Sequence, residues 1–218
     1  MSGASPFDAA TRAAMRSDRV AVIDLVRHGA VRELEQRVVR GQLDTGLSEV
    51  GRAEERAVVE QLARRVPDRI VASDLKRCAG AAQALGVRLE CAVELEPLLR
   101  EQSLGRWEGR TWEALQIEDG DGASAYWRDF VHTVPPGGES FAQMAIRVLA
   151  WLGREREALL DRTTAVITHA GPIRVLVAHA LGLGLENALR LAPPTGSRSR
   201  VLFSEAGGVL ETFGERTP

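Results

Sequence analysis

The sequence predicts an α/β sandwich with a largely parallel sheet. Apolar, β-branched runs of strand length alternate with stretches of helical periodicity, which is the order that parallel βαβ units produce. The 218 residues include 44% hydrophobic and 27% charged side chains, a composition typical of packed globular proteins. We therefore expect a single domain over residues 19–218, preceded by a flexible extension over the small and polar residues 1–18.

The first half of the chain supplies the first strands and helices. Residues 20–26 read VAVIDLV, a run that predicts a strand buried on both faces. Ser48 is suited to cap a helix that ends before Pro67. The elements expected next are a strand at 70–72, a helix at 74–85 with Gly86 just beyond its end, and a third strand at 87–93.

The second half begins with a turn-rich stretch, residues 99–137, in which aromatic side chains are crowded. This stretch predicts an inserted subregion that faces the substrate rather than a linker. Ser140 precedes the clearest helix of the chain, because apolar residues follow it at spacings of three and four. The remaining predicted elements are a strand at 164–168, a helix with Pro172 at its first position, and a terminal hairpin of residues 200–204 and 209–213.

Composition limits the partners and the compartment. The formal net charge of −2 provides no overall field that would favour nucleic acid or an anionic membrane. Lys76 is the only lysine, so basic sites depend on arginines, which are fixed bidentate donors. Cys78 and Cys91 are too few for a disulfide scaffold, and no stretch has the features of a signal peptide or a membrane span. We expect a cytoplasmic protein with two free thiols.

Two of the four histidines directly follow predicted strands. Arg27 and His28 come after the first strand, and His169 lies between a later strand and the start of a helix. Arg77 lies in the first helical turn after another strand. Ligands of α/β proteins bind beyond the carboxyl ends of strands, and helix N-termini attract anions. The combination predicts a phosphate site.

The common phosphate chemistries that use other nucleophiles do not fit. A P-loop would need glycines before Lys76, and a cysteine phosphatase would need an arginine six residues after Cys78 or Cys91. Asp119 and Asp121 form an Asp-x-Asp pair, but they lie in an acidic loop typical of a solvated turn. A histidine nucleophile remains, whose neutral imidazole attacks phosphorus while arginines neutralise the oxygens.

Five short blocks occur in order along residues 20–213. They read LVRHG at 25–29, DTGLSEVG at 44–51, SDLKR at 73–77, LREQSLG followed by WEG at 99–109, and VITHAG at 166–171. In order and spacing these blocks resemble the signatures of the histidine phosphatase superfamily, the phosphoglycerate-mutase-like enzymes. The resemblance is greatest to the α-ribazole phosphatases and broad phosphatases of that superfamily, and it implies a three-layer α/β/α sandwich of the phosphoglycerate mutase type.

The resemblance implies a role for each matching residue. His28 would be the nucleophile that becomes phosphorylated, and Glu101 the general acid and then the general base. The phosphoryl oxygens would be held by Arg27, Arg77 and His169. No metal and no cofactor is implied, because arginines supply the positive charge. We expect a metal-independent phosphatase that hydrolyses a phosphate monoester of a small metabolite.

The sequence also departs from the superfamily's pattern. Ala30, Val31 and Leu34 stand where many members carry polar residues, and the one replaced by Leu34 is an asparagine, so one donor of the phosphate pocket is missing. Trp112 stands where true mutases carry a lysine, so hydrolysis is favoured over mutase-type transfer. The implied substrate-binding residues are Arg40, Gly41 and the backbone N–H of Ala170, with Arg37 or Arg40 as candidates for the missing donor.

Two further hypotheses remain open besides the mutase alternative. One is a catalytically weak protein that binds phosphate for regulation. The other is a zinc metallohydrolase with His28, His169 and Glu101 as metal ligands. Glu108 and Glu139 also remain alternatives to Glu101 as the catalytic acid, because they lie in similarly polar stretches.

Overall fold

The computed structural model describes residues 19–32, 38–205 and 207–216. The predicted extension over residues 1–18 lies outside the described residues. Leu34 and Arg37 also lie outside them. The strands of the described sheet are β1 (Ala21–Arg27), β2 (Arg69–Ala72), β3 (Val93–Leu95), β4 (Thr163–Thr168), β5 (Arg198–Ser204) and β6 (Gly207–Glu215). Their order is β3-β2-β4-β1-β5-β6. The first four are parallel and the last two are antiparallel, so the sheet is mostly parallel, as predicted.

Helices cover both faces of this sheet. The α-helices of the described residues are α1 (Glu49–Ala63), α2 (Lys76–Leu89), α3 (Trp112–Glu118), α4 (Gly120–Arg128), α5 (Phe141–Leu159) and α6 (Ala170–Ala180), of which α1, α2, α5 and α6 pack on the sheet. Leu62 of α1 and Leu85 of α2 belong to one buried cluster, with apolar side chains of β1, β2 and β4. Trp151 of α5 and Leu176 of α6 belong to the cluster on the opposite face. The chain is therefore an α/β/α sandwich, which confirms the predicted fold class.

The boundary between α2 and β3 differs from the prediction. The helix continues to Leu89 and ends at Glu90, which adopts the left-handed conformation with a φ of 53°. Gly86 is buried inside the helix, where a Cβ atom would lie 2.9 Å from the carbonyl oxygen of Cys91. The predicted end at Gly86 and the strand at 87–93 are wrong, because this glycine serves close packing and the exposed Val87 is helical.

The stretch between residues 99 and 137 is more regular than predicted. It contains α3 and α4, and a short 3-10 turn at Gly105–Trp107. Helices of seven and nine residues are too short to show a clear apolar period, so the sequence pattern does not reveal them. Trp107 and Tyr126 pack edge to face with ring centroids 5.6 Å apart, and they belong to a buried cluster of their own.

The other predicted elements are close to those observed. Ser140 caps α5 through a capping box with Gln143, and β5 and β6 form the expected hairpin. Pro172 is the third residue of α6 rather than its first. Proline is tolerated at either position, because the first residues of a helix donate no intrahelical hydrogen bond. Among the helices of the described ranges, none combines the length and hydrophobicity that a bilayer span requires.

Candidate active site

Strand register brings the two strand-end histidines together. β1 and β4 are parallel neighbours, and Arg27 is paired with Thr168. The residues that follow, His28 and His169, therefore leave the sheet side by side. Their ring centroids are 5.1 Å apart with an interplanar angle of 62°. The two imidazoles thus belong to one site although they are distant in sequence.

His28 is held in one tautomer by the backbone. Its Nδ1 lies 2.7 Å from the carbonyl oxygen of Gly29, so Nδ1 carries the proton and the lone pair is on Nε2. Burial lowers the pKa of His28 well below its usual value, and the positive charges of Arg77, Arg27 and Arg40 lower it further. The imidazole is therefore neutral at neutral pH, which is the form that can act as a nucleophile.

Two glycines hold the loop after His28 against the start of α1. A Cβ atom on Gly29 would overlap the backbone of Gly51, and one on Gly51 would overlap the backbone of Ala30. Ala30 also accepts hydrogen bonds from the backbone N–H of Ser48, at 2.9 Å, and from its hydroxyl, at 3.1 Å. The glycines of the first two sequence blocks therefore permit the close approach that fixes the position of His28.

His169 is buried and bonded on both sides of its ring. Arg77 Nε donates to Nδ1 at 3.1 Å, so Nε2 carries the proton and lies 2.9 Å from the hydroxyl oxygen of Ser73. The Sγ atom of Cys78 lies 3.5 Å from Nε2. Burial, Arg77 and His28 lower the pKa of His169 well below its usual value. Ser73, which sequence reasoning left without a role, is the first residue after β2, and its place in the SDLKR block was the available signal.

The two predicted arginines are fixed by backbone carbonyls. Arg77 is almost fully buried and donates to the carbonyl oxygens of Leu43 at 2.8 Å and Gly41 at 2.7 Å. Arg27 donates to the carbonyl oxygen of Pro193 at 2.7 Å, while its Nε is buried without a hydrogen-bond partner among the described residues. A buried guanidinium N–H without a partner is suited to bind an anion.

Glu101 lies against the start of α6. Its carboxylate oxygens are both 3.2 Å from the backbone nitrogen of Gly171, which donates to them, and Oε1 also accepts from the N–H of Gln102 at 3.0 Å. A Cβ atom on Gly171 would overlap Oε1, so this glycine makes room for the carboxylate. Glu101 is half-buried and lines the same cavity as His28.

The two alternative acids have structural partners. Glu139 forms a salt bridge with Arg147 at 2.6 Å and accepts from the N–H of Ser103. Glu108 accepts from the backbone N–H groups of Gln42 and Leu104, both at 2.9 Å. Neither glutamate lines the cavity that contains His28. The geometry therefore favours Glu101 over both alternatives.

Arg147 of α5 supports the loop that carries Glu101, a contribution that sequence reasoning missed. Its guanidinium donates to the carbonyl oxygens of Leu98, Arg100 and Glu101 at 2.6 to 2.9 Å. It also pairs with Glu139. Arg147 follows Ser140 by two helical turns, on the face of α5 next to the loop, but no sequence block includes it. One side chain thus holds the backbone conformation of residues 98–101.

Six of the predicted site residues line a cavity of about 280 Å³. Its wall includes Arg27, His28, Arg40, Gly41, Arg77 and Glu101. His169 lies behind His28 and is fully buried, and Ala170 is not part of the wall, whereas the next residue, Gly171, is. An aromatic part of the same wall is formed by the side chains of Trp112, Tyr126, Trp127, Phe130 and Phe141.

The zinc alternative finds no support in the geometry. Across the described ranges, no group of three or more histidine, cysteine, aspartate or glutamate side chains is arranged to hold a metal ion. The ring nitrogens of His169 face Arg77 and Ser73, and the arginine charges nearby oppose binding of a divalent cation.

Fold and site together define an enzyme of the phosphomonoesterase class. A neutral imidazole, buried guanidinium groups and a carboxyl group share one cavity at the carboxyl end of a mostly parallel sheet. The family model of the histidine phosphatase superfamily (branch 1) matches residues 23–216. The chain belongs to this superfamily, and the resemblance seen in the five sequence blocks is confirmed.

Relatives and solved structures agree with this assignment. A glucosyl-3-phosphoglycerate phosphatase of Mycolicibacterium vanbaalenii is 37% identical over 177 residues, 78% of each chain. The structure of a mycobacterial glucosyl-3-phosphoglycerate phosphatase in complex with VO3 has a TM-score of 0.76 and 32% identity, and covers 89% of this chain and 98% of that chain. A putative α-ribazole-5′-P phosphatase of Escherichia coli has a TM-score of 0.85 at 24% identity, covering 90% and 97%, which shows the shared fold.

Proposed function

We propose that the protein hydrolyses a phosphate monoester of a small metabolite through a phosphohistidine formed on His28. The observation that carries this proposal is the state of the His28 ring, which is neutral, buried and protonated at Nδ1. Its Nε2 lone pair is therefore available for in-line attack on phosphorus. The arginines that lower the pKa of His28 also stabilise the negative charge that the phosphoryl oxygens carry in the transition state.

In the first step the Nε2–P bond forms as the bond from phosphorus to the ester oxygen breaks. Glu101 gives its proton to the leaving oxygen, so the alcohol departs neutral. In the second step Glu101 accepts a proton from water, the water oxygen bonds to phosphorus, and the Nε2–P bond breaks. Inorganic phosphate is released and the neutral imidazole is restored. The cycle needs no metal, because the guanidinium groups supply the positive charge.

The remaining predicted residues are assigned to binding. Arg27 and Arg77 would hold phosphoryl oxygens, supported by their hydrogen bonds to backbone carbonyl groups, which fix their positions. Arg40 and Gly41 lie on the cavity wall beside them. His169 would act on the same group from behind His28. The backbone N–H of Ala170, at the start of α6, is a further candidate donor.

The mycobacterial relatives indicate a first candidate substrate. They are named for glucosyl-3-phosphoglycerate, and we propose this compound as the first to assay. The aromatic side of the cavity supports a substrate with a bulky alcohol portion, because rings offer apolar area without losing much conformational entropy. Trp112 lies on that wall in place of a mutase lysine, which supports hydrolysis rather than phosphoryl transfer between metabolites.

The role of Glu101 is tested by changing the leaving group. In buffer with EDTA, the wild-type protein should hydrolyse both p-nitrophenyl phosphate and an alkyl phosphate. Glu101→Gln should lower kcat/KM for the alkyl ester on the order of 10²- to 10⁴-fold. The loss for p-nitrophenyl phosphate should be much smaller, because p-nitrophenolate leaves without a proton.

The matched control is Glu113→Gln, which changes an exposed glutamate in the first turn of α3. It should leave both rates at the wild-type level. Equal losses for the two esters in Glu101→Gln would contradict the role of Glu101 as general acid. Loss of wild-type activity in EDTA would contradict the metal-independent mechanism.

A further inference from the structure

Arg77 is held at the candidate active site by a loop that is distant from it in sequence. Its terminal nitrogens donate to the carbonyl oxygens of Gly41 at 2.7 Å and Leu43 at 2.8 Å, and its Nε donates to Nδ1 of His169 at 3.1 Å. Each terminal nitrogen keeps a second N–H that can donate to a phosphoryl oxygen. The direction of these N–H groups therefore depends on where the backbone of residues 41–43 places its carbonyl groups.

Glu108 contacts the same loop through a single peptide group. The N–H of Gln42 donates to Oε1 of Glu108 at 2.9 Å, and the carbonyl group of Gly41 accepts from Arg77. These two groups belong to one peptide unit, which is planar and trans, so that its C=O and N–H point in opposite directions. The bond to Glu108 therefore fixes the direction in which the carbonyl group of Gly41 faces Arg77.

The surroundings of the Glu108 carboxylate leave a defined place for it. A Cβ atom on Gly41 would overlap Oε1 of Glu108, and the φ of 49° at this residue lies in the left-handed region that favours glycine. The N–H of Leu104 donates to the same oxygen at 2.9 Å. Glu108 is half-buried, so two backbone N–H groups depend on one oxygen at a place where water is a poor substitute.

Other bonds hold the loop without the side chain of Glu108. The N–H of Gly109 donates to the carbonyl oxygen of Val39 at 2.8 Å, and the N–H of Val39 donates to that of Arg110 at 2.8 Å. These bonds join backbone to backbone, so they do not depend on the residue type at position 108. Loss of the carboxylate should therefore release the peptide group between residues 41 and 42 while the rest of the loop stays in place.

We propose that Glu108 is a positioning residue for phosphate binding, which orients Arg77 through the peptide group that Gly41 shares with the next residue. The inference rests on the proposed function, because Arg77 is assigned there to the phosphoryl oxygens. Without the carboxylate, the N–H of Gln42 turns toward another acceptor, and the carbonyl group of Gly41 turns with it because the peptide unit is planar. Arg77 then loses one of the three acceptors that fix its guanidinium group.

The first test is competitive inhibition by inorganic phosphate, with p-nitrophenyl phosphate as the substrate. This ester needs no proton from Glu101, so any effect of Glu108 on the acid would be small in this assay. Glu108→Ala should raise the inhibition constant of phosphate by about 10-fold, because a small displacement of a charged group at the site weakens its contacts strongly. Glu108→Gln should keep the wild-type constant, because both bonds go to one oxygen and an amide oxygen can accept them.

The second test shows whether Glu108 acts through Arg77. Arg77→Gln alone should raise the inhibition constant by about 10- to 100-fold, the value of a charged hydrogen bond. Adding Glu108→Ala to Arg77→Gln should change the constant further by about twofold or less, because the side chain that Glu108 orients is then gone. A merely structural role of Glu108 would instead give effects that multiply.

Two more variants complete the comparison. Glu113→Ala, at an exposed position of α3, is the matched control and should keep the wild-type inhibition constant. Gly41→Ala displaces the carboxylate of Glu108 from the other side of the contact and should raise the constant as Glu108→Ala does. It takes the place of Glu108→Ala in both tests if that variant does not fold, which circular dichroism checks.

Three outcomes would overturn the proposal: a wild-type inhibition constant in Glu108→Ala, effects of Glu108→Ala and Arg77→Gln that multiply, or a loss in Glu108→Gln equal to that in Glu108→Ala. Failure of the proposed function is distinguishable from these. In that case the wild-type protein would not hydrolyse p-nitrophenyl phosphate, or Arg77→Gln alone would leave the inhibition constant unchanged.

Discussion

Gly171 shows how a missing side chain defines the candidate site. The carboxylate of Glu101 occupies the space that a Cβ atom would take, and the backbone N–H of the same glycine donates to it. The sequence block VITHAG indicated that this position lies at the start of a helix near the site. It could not indicate that the glycine receives a carboxylate from a loop 70 residues earlier, because that contact depends on the tertiary fold.

Gly171→Ala should therefore displace Glu101 while leaving the fold intact. We expect kcat/KM for an alkyl phosphate to fall by about 10²-fold or more, since general acid catalysis is lost. The measurement is steady-state kinetics, with circular dichroism to check the fold. Gly153→Ala is the matched control, because nothing lies near the added Cβ at that position of α5, and it should keep activity and raise helix stability by about 0.5–1 kcal/mol. Full activity in Gly171→Ala would show that Glu101 does not need this contact.

At the level of elements, the strands that carry the site were predictable. The run before His28 is apolar and β-branched, and the parallel order of β1 and β4 follows from the alternation of strands and helices. The pairing of Arg27 with Thr168, which places the histidines side by side, is a matter of register and cannot be read from either strand alone. The role of Arg147 could not be predicted from the sequence either. Its hydrogen bonds go to backbone carbonyl groups, which leave no pattern in the sequence.

Arg147 should be the residue of α5 on which the site depends most. Arg147→Met would remove one donor from each of three carbonyl oxygens and the salt-bridge partner of Glu139. Because these groups are largely buried, we expect the free energy of unfolding to fall by about 2–4 kcal/mol. We also expect a clear loss of kcat. Denaturant titration and kinetics measure the two effects.

The control for this prediction is another arginine of the same helix. Arg154 is exposed and pairs with Glu96 and Glu155 at the surface. Arg154→Met should cost no more than about 1 kcal/mol and should not affect kcat. Similar effects of the two substitutions would mean that the bonds of Arg147 to the loop do not support the site.

At the scale of the whole molecule, buried ion pairs link the parallel part of the sheet to its antiparallel part. Asp24 of β1 is fully buried and accepts hydrogen bonds from Arg198 and Arg200 of β5. Burial tends to raise the pKa of Asp24, but Arg200 and Arg198 outweigh it and the pKa is lowered. The sequence shows Asp24 as the only polar residue in an apolar run. Its partners are 174 and 176 residues away, so they could be found only once β5 was placed beside β1.

Stability should decrease as the pH falls below about 6.5, because His28 and His169 are buried in neutral form. Burial lowers the pKa of both groups in the folded protein, so below that pH the unfolded chain binds protons that the folded protein does not. Each histidine then removes up to about 1.4 kcal/mol of unfolding free energy per pH unit. Denaturant titrations without phosphate between pH 5 and 7 measure the slope.

Substitution of one histidine should reduce that slope. His28→Gln should remove about half of the contribution of the pair. An unfolding free energy that is constant from pH 7 to 5 in the wild-type protein would contradict the neutral, buried state of the two rings.

The most direct test of the mechanism is to trap the phosphorylated enzyme. The protein is mixed with a ³²P-labelled monoester, quenched in denaturant within the first turnovers, and divided between acid and alkali. A phosphohistidine on His28 predicts label that survives alkali, is lost in acid and is absent from His28→Ala. Label that survives acid, or label of equal amount in His28→Ala, would contradict the assignment of His28 as the nucleophile.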